Sequence, residues 1–322
     1  MADDDVLFRE RPHPRGKEPS SKYREGGMDK QLQMVAESQA AWSATANELK
    51  ARYERTRWQI LLLSIGGALL AATASQLEGK IRVYLAIVSA VLLALVSFLT
   101  ARRLGGQHAI EWARIRAASE ALKREAYKYA ACAAPYDDAD TRGQKLHEER
   151  QQIEKDVDDL IGLQTKAKTG STPVDLMIPA EYLEKRVKRQ IEDFFEPRIE
   201  QNQALAKTLR RIEFGLALVT TCITAIVGVA GKDWWGLNFD FVALTAVLTT
   251  ISGVVLVHVE AARYDFIVTS YRATARRLRD MLANAPDKFE FPSPQWSAFV
   301  NQCETILSEE NNSWIAKFSK PS

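Results

Sequence analysis

Residues 60–77 read ILLLSIGGALLAATASQL and residues 83–100 read VYLAIVSAVLLALVSFLT, and neither run contains a charged side chain. Glu78, Gly79, Lys80, Ile81 and Arg82 separate them. At ~1.5 Å per residue each run makes a helix of about 27 Å, close to the ~30 Å of a bilayer's hydrocarbon core. A buried core helix of a soluble protein can also be apolar all round. Two charge-free runs of this length joined by a short polar loop read instead as a membrane hairpin. A helix satisfies its own backbone hydrogen bonds, so lipid tolerates it. Gly66 and Gly67 cost helix propensity but permit close approach by a neighbouring helix.

Outside this hairpin the chain is polar. Its mean hydropathy of -0.22 averages very apolar segments with very charged ones. Lys plus Arg number 43 against 41 Asp plus Glu, for a net charge of +2. That balance supplies no basic field for a phosphate backbone, so nucleic acid is not an expected partner. Cys132, Cys222 and Cys303 lie far apart and form neither CxxC pairs nor a zinc pattern, which fits a reducing setting. The chain opens with Met-Ala-Asp-Asp-Asp, and the first apolar run lies far from it, so no cleavable signal is expected.

Along the chain, residues 1–28 mix Asp3, Asp5, Pro12, Pro14, Arg11 and Arg15 with few apolar side chains. A solvated, disordered arm is expected there. From Asp29 onward, Leu32, Val35, Trp42, Ala46, Leu49 and Tyr53 follow steps of three and four, with Gln39 interrupting the seam. No breaker separates this stretch from the apolar run, which predicts one helix entering the membrane. After Arg102 and Arg103 a helix is predicted from about Gln107 to Ala134, with Pro135 ending it, and another from Thr141 to about Gln164. Residues 166–179, with Gly170 and Pro173, read as a linker.

The second half repeats this plan. A helix carrying Leu183, Val187, Ile191 and Phe194 reaches Pro197, where a kink or break is expected. Apolar runs follow at about 214–231 and 241–258, separated by a polar loop whose Trp234 and Trp235 suit a membrane interface. The last run is expected to continue into an Arg-rich helix, and prolines 286, 292 and 294 precede a final amphipathic helix. A period near 150 residues exceeds that of a solenoid repeat, so a domain duplication is expected. The prediction is an all-α integral membrane protein. It has two tandem two-span hairpins, in units 29–165 and 180–319, and long cytoplasmic helices that form a bundle. Lys50, Arg52, Arg55, Arg57, Arg102, Arg103, Lys207, Arg210, Arg211 and Arg263 flank the spans on one side. By the positive-inside rule both termini face the cytoplasm and the plasma (inner) membrane is the expected location.

No HExxH, Walker A or nucleophile-elbow pattern occurs. Carboxylates such as Glu148, Glu149 and Asp156 alternate with Lys and Arg at helical spacing, as on a solvated face. No enzyme, cofactor or metal site is therefore expected. The sharper feature is the fourth run, where Thr245, Thr249 and Ser252 fall on one helix face, with Thr221 and Thr224 in the third run. These hydroxyls could line a wet path in an oligomer, or bond back to their own helix carbonyls. His258 and Glu260 are placed at the cytoplasmic mouth of that path, and Glu213 at the entrance to the third span.

Several short segments resemble a known family. Arg116-Ala117-Ala118-Ser119-Glu120-Ala121-Leu122-Lys123, with Tyr129-Ala130 and Pro135-Tyr136, is similar to the post-membrane helix of one subfamily of SLATT domains, the SMODS- and SLOG-associating two-transmembrane effectors. In the second half Tyr182-Leu183-Glu184-Lys185-Arg186 with Gln190, Tyr271-Arg272-Ala273-Thr274-Ala275 with Leu278, and Ile306-Leu307-Ser308-Glu309-Glu310-Asn311 with Trp314 resemble a second subfamily. The N-terminal arm shares nothing with either. The resemblance implies a membrane-perturbing or pore-forming effector from prokaryotic conflict systems, often encoded beside nucleotide second-messenger enzymes or nucleotide sensors. On this reading the partners are the lipid bilayer, other copies of the chain, and a cytosolic sensor or second-messenger system. A membrane-anchored scaffold that recruits a cytosolic partner without conducting is the alternative.

Overall fold

Asp29 opens the first helix: its carboxylate accepts from the N–H groups of Gln31 at 3.0 Å and Leu32 at 3.3 Å, filling donors that a helix start leaves open. The computed structural model describes residues 29–103, 106–167, 170, 172–230, 240–286 and 288–318. The expected arm at 1–28 and the interfacial role of Trp234 and Trp235 lie outside them. Helix α1 (Lys30–Ser75) runs unbroken for 46 residues, or about 69 Å. That is more than twice the hydrocarbon thickness, so about half of it projects into water, as its two sequence patterns require. Gly79, at φ +72°, takes the left-handed turn for which glycine is suited, and α2 (Gly79–Arg103) returns alongside α1.

The two helices are in close contact at Gly67. A Cβ there would lie 2.9 Å from Leu93 Cδ2, whereas one at Gly66 would meet only Leu92 at 3.8 Å. Ser89, the one buried residue of α2, donates to the Gly67 carbonyl at 2.8 Å. The opposite face of α2 turns outward, with Ile81, Val83, Val91 and Phe98 exposed. Such a surface is stable only against lipid or another apolar face.

α3 (Gly106–Ala130) and α4 (Arg142–Lys155) follow. The helix expected to continue to Gln164 ends sooner and gives way to a 3-10 turn at Asp158–Leu163. Arg114 from α3 binds the Asp156 carbonyl at 2.6 Å and the Asp159 carboxylate at 2.7 and 2.8 Å, which holds that turn.

Of the kink or break expected at Pro197, no break occurs, but the helix leaves α geometry in the turns just before it. α5 (Pro179–Tyr182) passes through π-helical turns at Leu183–Lys188 and Gln190–Phe195 into α6 (Glu196–Ala230). Proline has no N–H to donate and its ring collides with the carbonyl four residues back. The wider i→i+5 turns before it let the chain pass without a break. The break comes instead at Arg263, where α7 (Phe241–Ala262) meets α8 (Tyr264–Ala283) and Arg263 adopts φ 53°, ψ 38°. α9 (Pro294–Phe318) closes the bundle.

Four helices, α1, α2, α6 with its preceding turns, and α7 with α8, are long and apolar enough to cross a membrane. No strand occurs among the described residues. The protein is an all-helical, four-span membrane protein with a large extramembrane bundle. α7 packs against both α1 and α6, so the hairpins share one seam: Leu61 and Ala68 with Val247, Ile251 and Val255. In the extramembrane bundle both halves contribute to a single core, with Leu32, Ile115 and Tyr136 from the first and Tyr182, Leu278 and Trp296 from the second.

A polar network is buried inside that core. Arg186 grips Glu304 with two hydrogen bonds of 2.8 and 2.7 Å, and Tyr182 donates to the same carboxylate at 2.9 Å. The Arg186 and Glu304 side chains are 4% and 1% exposed, and the guanidinium lies 4.3 Å over the Tyr127 ring. A charge so deep is tolerated only because every partner is in place. Further along α9, burial pushes the Glu310 carboxyl up to about 7, with Arg116 opposing the shift and Glu120 adding to it. Burial also acts to raise the Glu120 carboxyl, but Arg116, Lys123 and Arg186 outweigh it and hold it below its usual range.

Three outcomes follow from this packing. Gly67→Leu should separate α2 from α1, break the Ser89 bond and cost about 1–3 kcal/mol, while Gly66→Ala stays within about 0.5 kcal/mol. Thermal unfolding in detergent measures both. Glu304→Ala strands a buried guanidinium and should cost about 3–5 kcal/mol, with Glu304→Gln losing less; equal losses would show that the charge does not matter. Glu310 binds its proton more tightly folded than unfolded, where its value is 4.5. Its contribution to stability therefore falls as pH rises from 4.5 to about 7 and is level above. Glu310→Gln should flatten that descent in a series of melts across the window, and an unchanged slope would refute the assignment.

Candidate membrane pathway and its mouth

The hydroxyls expected to line a path are distributed unevenly. In α7, Thr245 donates to the Val242 carbonyl at 2.8 Å and Thr249 to that of Thr245 at 2.9 Å. In α6, Thr221 donates to Ala217 at 2.9 Å and Thr224 to Thr220 at 2.8 Å. A short hydroxylated side chain in a helix reaches its own preceding turn, which satisfies the group without water. Thr221, Thr224 and Thr249 are exposed on the surface of a single chain, and Thr245 is half-buried.

Ser252 departs from the pattern. It is buried between α7 and α6, with its hydroxyl 3.4 Å from both the carbonyl and the carboxylate of Glu213. The structure thus unites Ser252 with the half-buried Glu213. The Thr pairs of the two spans share no hydrogen bond with one another.

At the other end of α7, His258 and Glu260 part company. Glu260 is exposed, while His258 is buried against Trp58, with ring centroids 4.7 Å apart at 53°. Arg57 donates to the His258 carbonyl at 3.2 Å. Arg210 pairs with Asp265, not with His258 or Glu213. Trp58 and Arg57 were not singled out as partners of His258. Their signal was their place at the first span's boundary, where aromatic and basic side chains gather.

A second link joins the hairpins at the opposite end of the spans. The Gln76 amide donates to the Asp240 carbonyl at 3.1 Å and accepts from its N–H at 2.8 Å. Asp240 meanwhile caps α7 through the Ala243 N–H at 3.0 Å. No sequence pattern pairs two residues 164 positions apart.

The extramembrane bundle holds a polar cavity of about 790 Å³ whose lining includes Arg116, Lys123, Arg189, Glu120 and Asp193. Burial, helped by the charge of Arg186, pushes the Lys123 amine down to about 8. Among the described residues no three His, Cys, Asp or Glu side chains gather in a way that could hold a metal.

Two families match this chain over separate segments. Residues 40–144 match a family described as a protein of unknown function, DUF4231. Residues 182–314 match the SMODS and SLOG-associating 2TM effector domain 1. No curated protein and no solved structure matches. Of the two segments read above as similar to SLATT subfamilies, the second thus has a matching SLATT family, and the first matches a family of unknown function. Residues 182–314 are thus similar to a two-transmembrane effector domain, and the chain around them has the four apolar helices of a multi-pass membrane protein.

Proposed function

We propose that the protein is an oligomeric effector that permeabilises the membrane in which it sits, as part of a prokaryotic conflict or defence system. On this reading two tandem two-span units, residues 29–165 and 180–319 joined by 166–179, act together in the plasma (inner) membrane with both termini in the cytoplasm. The observation that carries it is the outward position of Thr221, Thr224 and Thr249 on otherwise apolar spans. One chain leaves that hydroxylated face open, and neighbouring copies would enclose it as a wet lining. The 2TM effector match to residues 182–314 supports the same reading. The trigger is a cytosolic sensor or a nucleotide second-messenger system acting on the extramembrane bundle. His258, Glu260 and Glu213 belong to the ends of the path, and the contact of Ser252 with Glu213 ties α7 to α6 at that end.

The alternative is a non-conducting scaffold whose spans only anchor it. The intrahelical bonds of Thr221, Thr224, Thr245 and Thr249 favour it, because these hydroxyls are satisfied without water. Ion flux from liposomes containing the purified protein separates the two. The wild type should conduct, and Thr245→Leu/Thr249→Leu should reduce flux by about tenfold or more, because a wet lining must offer polar groups. Flux unaffected by the double substitution would remove the Thr face as the lining. No flux in any oligomeric state would leave the scaffold.

A further inference from the structure

Where the apolar spans meet the extramembrane helices, the chain encloses a second cavity, of about 660 Å³. Its charged lining is predominantly cationic. Six Lys or Arg side chains line it against two carboxylates, Glu54 and Glu111. Both carboxylates are already engaged, Glu54 by Lys50 at 3.6 Å and Glu111 by His108 at 3.3 Å. Arg52 pairs with Glu48, outside the lining. That leaves Arg57, Arg102, Arg103 and Arg198 without a carboxylate partner among the described residues.

Two buried polar atoms in the same wall have no partner. His258, 7% exposed, leaves its Nε2 unbonded, and Arg57 leaves its Nε unbonded. Buried polar groups in folded proteins are paired as a rule, so two orphans from different helices at one cavity mark the place of an absent acceptor. The rest of the lining is aromatic and apolar, including Trp58, Tyr264, Leu205 and Ile267. A site with several convergent cations and an apolar wall, at the boundary of four spans, suits an anion that carries an apolar tail. Guanidinium groups bind phosphoryl oxygens through paired, charge-assisted hydrogen bonds.

We infer that this cavity binds a phosphoryl group, supplied by the headgroup of an anionic phospholipid that enters from the adjacent leaflet. Arg57 and Arg198 contact the phosphoryl oxygens from α1 and α6, His258 Nε2 adds a bond from α7, and Arg102 and Arg103 close the site from the end of α2. The cavity is complete in one chain, so binding requires neither oligomerisation nor conduction.

The test uses the full chain purified in detergent. Native mass spectrometry counts retained lipid after exposure to phosphatidylglycerol or phosphatidylcholine, and calorimetry with inorganic pyrophosphate probes a soluble source of the same chemistry. The wild type should retain phosphatidylglycerol in preference to phosphatidylcholine. Arg57→Gln/Arg198→Gln should weaken retention by roughly 25-fold, taking about fivefold per cation near a membrane surface. Arg102→Gln/Arg103→Gln, at exposed positions, serves as the variant that folds, with a loss in the same direction and an unchanged helical circular dichroism signal. Pyrophosphate binding that disappears in the same variants, without lipid preference, sustains the phosphoryl site but makes a soluble molecule its occupant. Equal retention of both lipids together with no pyrophosphate heat, or binding unchanged in both variants, overturns the inference.

Discussion

The structure depends on the contact of α1 with α7. In a membrane the apolar side chains of two helices gain little by leaving lipid, so association rests on close packing and on the few polar bonds between them. Here Leu61 and Ala68 pack with Val247, Ile251 and Val255, and a polar link holds each end of the seam. Gln76 exchanges two hydrogen bonds with the Asp240 backbone at one end, and Arg57 holds the His258 carbonyl at the other. Without this seam the two hairpins, α1 with α2 and α6 with α7, would be joined only through the core of the extramembrane bundle.

The same helix carries the seam into the extramembrane bundle. α1 contributes Leu32, Val35 and Trp42 to the bundle core and Leu61 and Ala68 to the membrane seam. With no breaker between them, packing at one end sets the position of the other. In the bundle, the Arg186–Glu304 pair performs the corresponding task for the second half by tying the π-helical entry of α6 to α9. Two charges buried together add little net stability over an apolar pair, but they penalise any arrangement that separates them. The interior thus specifies one mutual placement of α9 and the entry to α6. The junction between bundle and spans, where Arg57, Arg102, Arg103 and Arg198 have no carboxylate partner among the described residues, lies where the two packed regions meet.

Much of this was legible in the residues. Charge-free runs located four spans, the three-and-four spacing from Leu32 to Tyr53 announced the continuous α1, and Gly66-Gly67 marked a close approach, which the structure assigns to Gly67. Pro197 marked a disturbance of the helix but not its form, because the effect of a proline depends on the turn it enters, and π-helical geometry is not written in a hydrophobic period. The left-handed Arg263 was invisible because nothing in an arginine announces φ > 0. Of the candidate path, the helix faces of the Thr and Ser side chains were readable, but the union of Ser252 with Glu213 and of His258 with Trp58 was not.

What the sequence determined by itself is whatever a single helix decides: its length, its apolar stretch, its cap at Asp29 and its lipid-compatible faces. Those follow from local hydrogen bonding and from the transfer of each side chain between water and hydrocarbon. Only the tertiary structure decided which helices meet, because lipid offers every apolar face nearly the same environment. The choice of α7 as the partner of α1 rests on shape and a few distant polar contacts. Gln76 with Asp240 and Arg57 with His258 are separated by 164 and 201 positions, and no local rule relates residues so far apart.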